Sequence, residues 1–103
     1  MVTFRSFLAD RKMKANIGKC FVHHGEEGQN LVYLVTDIGD EIKRFYRGTV
    51  LGVGRTPGIA LNSLISYERV HTESEEIEES DFTQIYLHVL GKLASKVNAT
   101  ISK

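Results

Sequence analysis

Residues 50–64 read VLGVGRTPGIALNSL, and the way this stretch folds decides how the chain is organised. Gly52, Gly54 and Gly58 surround Arg55 and a Thr56-Pro57 pair. Threonine is a good helix N-cap, and proline is favoured at the first helical position. Leu61, Leu64 and Ile65 then follow at i, i+3 and i+4. The spacing predicts a strand ending near Val53, a glycine turn, and a helix over about residues 57–68. The tail LISYERV is rich in β-formers, so residues 62–71 stay open between helix and strand. A glycine loop at a helix N-terminus presents free backbone N–H groups to an anion, and Arg55 adds a bidentate phosphate donor. On this reading Gly54, Arg55 and Thr56 form an anion site. The competing reading is a tight turn that needs glycine dihedrals. Pro57 removes one N–H, and the spacing G-x-G-x-x-x-G departs from the dinucleotide fingerprint.

Upstream, the pattern is one helix and three strands. Thr3 caps a helix over about residues 4–14, with Phe4, Phe7 and Leu8 on one face and Arg11, Lys12 and Lys14 near its end, where cations suit the dipole. Gly18 is its stop. IGKCFVHH is a strand, GEEGQN a hairpin loop, and LVYLVTDI a near-continuous apolar run fit for a central strand. GDE turns the chain, and IKRFYRGTVLGV is a long third strand in which Gly48 marks a bulge or bend.

Downstream, Phe82, Ile85, Tyr86, Val89, Leu93 and Val97 recur at helical steps. Acids precede them, and Lys92, Lys96 and Lys103 follow, as the helix dipole favours. A capping box of Thr72 and Glu75 starts this helix at 73, or Ser80 starts it later. Leu87, Leu90 and Ala94 widen its apolar face, so burial on two sides is expected, one against the sheet and one in a homodimer. The whole is a single α+β domain over residues 1–103. It has a three- or four-stranded antiparallel sheet, helices on one face and a long C-terminal helix.

The 103 residues are 42% hydrophobic and 25% charged, an ordinary globular balance. Cys20 is the only cysteine, and no apolar run suggests a leader or a membrane span, so a cytoplasmic protein is expected. Net charge is zero, but six of the thirteen acids fall in ESEEIEESD, residues 73–81, leaving +6 on the remainder. This is a solvated charge run or, with Glu75, Glu76, Glu78 and Glu79, a face for a protein partner.

KRFYR, residues 43–47, is the other charged feature. Alternation puts Lys43, Phe45 and Arg47 on one face and Arg44 and Tyr46 on the other. An aromatic between cations is a platform for a base and its phosphates; alternatively Phe45 is buried and the cations snorkel around it. Arg11, Lys12, Lys14 and Lys19 extend the basic surface. Cys20, His23 and His24 do not make a metal site, because adjacent strand residues face opposite ways and no second cysteine pair exists. No nucleophile elbow or Cys-His signature is present, so neither an enzyme nor a cofactor is expected.

The order helix, three antiparallel strands, glycine turn, helix resembles the double-stranded-RNA-binding domains over about residues 4–68. Ala60 and the Thr56 cap match that family's helix start. Pro57 and Gly58 stand where the family has two phosphate-contacting lysines, and HHGEEGQN lacks its Gly-Pro-x-His loop motif. The resemblance therefore implies the architecture without most of the RNA-contacting residues. Residues 42–66 are also similar to HicB-type antitoxins, which implies docking on a small toxin protein. Two functions follow as expectations. One is a small regulatory module, suited to a phage or mobile element, that binds nucleic acid or nucleotide phosphate through Lys43, Arg44, Phe45, Arg47 and the 54–56 turn. The other is an adaptor, antitoxin or inhibitor acting through residues 73–81 and the last helix.

Overall fold

The computed structural model describes residues 11–101. Its elements are β1 (Cys20–His24), β2 (Asn30–Asp40), β3 (Phe45–Val53), β4 (Gly58–Ser66), α1 (Tyr67–Thr72), β5 (Ser74–Ile77) and α2 (Glu79–Ile101). Residues 11–14 are helical and lead through a turn to β1; the start of the expected 4–14 helix lies outside the described residues. All strand pairs are antiparallel, in the order β4-β3-β2-β1-β5. The α+β class and the long C-terminal helix are as the sequence indicates. The sheet is larger, with five strands.

One strand is the fourth that residues 62–71 left open, and one exceeds the three or four expected. The expected helix over 57–68 is strand β4, followed by the short helix α1, so residues 62–66 are strand and 67–72 helix. The segment behind both family resemblances is thus a β-hairpin rather than a strand-to-helix turn. Ser66, not Thr56, caps the helix that follows, its hydroxyl accepting from Arg69 N–H at 3.3 Å. The second extra strand, β5, replaces the capping box expected at Thr72 and Glu75. The Thr72 hydroxyl donates instead to Glu68 O at 2.7 Å, inside α1. Ser80 lies within α2 rather than capping it.

Pairing sorts the side chains into two cores. Phe21, Tyr33, Val35, Tyr46 and Ile65 share one face with Met13 and the α1 residue Val70. Cys20, Val32 and Leu51 share the other face with Phe82 of α2, with Ile85 and Tyr86 packed alongside. Helices therefore cover both faces rather than one. Tyr46, Val35 and Leu51 have no exposed surface. Gly48 is required where β3 passes β2: a Cβ there would stand 2.0 Å from Leu34 O.

Candidate functional site

The β2–β3 turn builds the site's rim. The Asp40 carboxylate accepts the N–H groups of Ile42 and Lys43, each at 3.0 Å, which folds residues 40–44 into a tight loop. Arg44 closes it at φ +57°, a left-handed conformation costing a non-glycine residue about 1 kcal/mol. Its carbonyl accepts the Tyr67 N–H at 3.0 Å, tying the loop to the first residue of α1.

On α1, Tyr67 and His71 are four residues apart and stand on one side of the helix. Their rings stack at 4.0 Å between centroids. The Arg44 guanidinium lies over the Tyr67 ring at 5.7 Å, within cation–π range. Lys43, Arg44, Phe45, Ser66, Tyr67 and His71, with Glu68 and Thr72, line one cleft of about 380 Å³. Its formal charge comes from two cations and one carboxylate, and its floor is aromatic.

Beneath the cleft is a polar knot. Asn16 Nδ2 donates to the Tyr46 hydroxyl at 3.0 Å and meets His71 Nε2 at 3.1 Å, while the Tyr46 hydroxyl is 2.9 Å from the same nitrogen. Both contacts are satisfied when Nε2 is unprotonated and accepts. Burial, and then the Lys12 charge, hold the His71 pKa below its ordinary value, in agreement with a neutral ring. Burial raises that of the Tyr46 hydroxyl.

The other expected residues stand elsewhere. Phe45 and Arg47 alternate with Tyr46 as expected, but Arg47 points along the second face and its guanidinium donates to Asn62 O at 3.0 Å. The 54–56 turn is about 27 Å from the cleft, at the far end of β3. No helix begins there, which removes the dipole from the anion reading. Gln29 holds the turn from within: its Nε2 donates to Thr56 O and its Oε1 accepts Thr56 N–H, each at 3.0 Å. Arg55 is paired with Glu27 at 3.1 Å. Gly54 sits at φ +131° with Gly28 O where a Cβ would be, the tight turn that glycine permits.

Glu75 and Glu76 lie on the edge strand β5 and point to opposite faces, Glu76 reaching Lys19 at 3.7 Å. Glu78 and Glu79 open α2, the Glu78 carbonyl accepting Phe82 N–H. The Cys20 thiol is buried, and burial followed by Glu79 and Glu76 pushes its pKa up, away from thiolate reactivity. His23 Nδ1 contacts Glu73 O at 2.9 Å. Among the described residues no three metal-ligating side chains converge, and no helix is long and apolar enough to cross a membrane.

Comparison with protein-family models, curated proteins and solved structures finds no match. The site therefore rests on its own chemistry. Lys43, Arg44 and Phe45 were expected there. Tyr67, His71 and Asn16 were not, although the i, i+4 spacing of Tyr67 and His71 in YERVH is a signal once α1 is assigned.

Proposed function

We propose that the protein is a non-catalytic binding module that takes a phosphate and base of single-stranded nucleic acid in the Lys43–Arg44–Tyr67 cleft. The observation that carries this is Arg44, held at φ +57° by the Asp40 turn and the Tyr67 amide, with its guanidinium over an aromatic ring. Strain of this kind persists where surrounding contacts over-determine it, and it clusters at binding sites. Lys43 and Arg44 supply phosphate donors, the Tyr67 ring holds the Arg44 guanidinium in place, and the Phe45 ring supplies stacking surface worth about 1–3 kcal/mol per base.

Fluorescence anisotropy of the full chain with labelled single-stranded RNA and DNA tests it. Binding at low salt is expected, with Arg44→Ala and Tyr67→Ala each weakening it about fivefold or more, and Arg55→Ala leaving it unchanged. Arg44→Gly keeps the backbone comfortable, so it holds or raises Tm while still losing affinity. No binding by the unaltered chain, or full affinity in Arg44→Gly, overturns the proposal. A second reading, a protein-docking face of the adaptor or antitoxin kind, draws on the exposed carboxylates of Glu75, Glu76, Glu78 and Glu79 around edge strand β5. Charge reversal there leaves oligonucleotide binding intact and disrupts a protein complex.

A further inference from the structure

The second half of α2 leaves the domain. From Leu90 to Ile101 every residue except Leu93 is exposed. Leu87, Leu90, Ala94, Val97 and Ile101 nevertheless repeat at steps of three, four, three and four, the heptad seam of a paired helix. These positions are exposed, Leu87 by 55%, Val97 by 56% and Ile101 by 75%. They are rotated by roughly 125° from the Phe82–Ile85–Val89 stripe that meets the sheet, and among the described residues they stay exposed. Lys92 falls on the opposite side of the helix, and Lys96 lies just beyond the Thr100 flank, where it lines a shallow pocket with Val97, Thr100 and Ile101.

Gly91 adds an independent observation. A glycine inside a helix costs about 1 kcal/mol relative to alanine. Among the described residues nothing lies within 4 Å of where its Cβ would be, so none of them requires the glycine. A residue this small beside Ala94, at the middle of the seam, leaves room for an approach from outside the chain.

We propose that this seam pairs with the same seam of a second copy, antiparallel, with Ala94 opposite Ala94. The stripe is its own complement in that direction: large side chains at both ends, a small one at the centre, Leu87 level with Ile101 and Leu90 within one residue's rise of Val97. Its flanks, Gly91 and Asn98 on one side and Leu93 and Thr100 on the other, carry no charge, so an identical helix meets no repulsion. The seam and its flanks cover roughly 500 Å² per copy, about 1,000 Å² in total, the lower bound for an interface and the range of weak, reversible ones.

Sedimentation equilibrium of the full chain across a concentration series tests it. A reversible dimer is expected. Leu90→Glu is expected to raise its dissociation constant by about tenfold or more, the effect of one unpaired charge in an apolar seam. Gly91→Gln, a better helix former, is expected to keep or raise the thermal stability of the fold while weakening the dimer, which separates lost pairing from lost folding. Oxidised Ala94→Cys cross-links with itself. Leu87→Cys does not, but a mixture of Leu87→Cys and Ile101→Cys does. A monomer at all concentrations overturns the proposal, even if it adheres to lipid vesicles. So do a dimer indifferent to Leu90→Glu and Gly91→Gln and self-cross-linking of Leu87→Cys.

Discussion

His71 has one protonation state that suits its neighbours. Asn16 Nδ2 cannot accept, so Nε2 must, and a proton there would set two donors against each other. The folded ring therefore titrates below the ordinary histidine value, whereas the unfolded one titrates near about 6.5. As pH falls through that value the unfolded chain takes up a proton first. The stabilisation is thus complete above about 6.5 and is lost between there and the lower folded pKa. Thermal melts on both sides of that pH are expected to show an acid loss in the native chain and a smaller one in His71→Gln, which keeps an acceptor and does not titrate. An equal loss in both would remove His71 from the account. At this scale the sequence was half legible. Lys43 and Arg44 stand out by charge, but nothing local marks Asn16, 55 residues before His71, as its partner.

Among the elements, β4 was misread for a physical reason. In its pairing with β3 the register slips between Gly48 and Val50, so Leu61 and Asn62 together oppose one residue. Such a bulge breaks the alternation of a strand, and apolar residues at 61, 64 and 65 then imitate helical spacing. Thr56-Pro57 completed the imitation. Strand β5 was hidden differently: SEEI has little strand character, and it pairs because an edge position lets its carboxylates face water. By contrast β1, β2, β3 and α2 were legible, since their apolar runs match their burial. The β3–β4 turn owes its shape to Gln29 rather than to helix capping. Gln29→Ala, which hands the Thr56 amide and carbonyl to water, is expected to cost about 0.5–1.5 kcal/mol. It should appear as a lower urea midpoint and faster amide exchange at residues 54–58. Arg55→Ala removes only an exposed ion pair and is expected to change the midpoint little. Equal effects from the two variants would mean that the Gln29 bridge does not hold the turn.

Over the whole molecule, charge is arranged by occupation more than by sum. The sequence alone groups Lys43, Arg44, Arg47 and Arg55 into one basic surface. The fold distributes them: Arg55 is paired with Glu27 at one end of β3, Arg47 is engaged with Asn62 on the second face, and Lys43 and Arg44 share the cleft at the other end. The difference is measurable through counterion release. For single strands, log K falls with log salt at about 0.7 per phosphate neutralised. Two cations in one cleft give a slope of about −1.4, whereas four acting as one strip give about −2.8. Oligonucleotides short enough to fill a single cleft keep the two copies of a dimer from adding their slopes. A slope near −1.4 that falls by about half in Lys43→Ala places the contact in the cleft. A slope near −2.8 that also falls in Arg55→Ala would mean that the Glu27 pair opens on binding, and that the nucleic acid runs the length of β3.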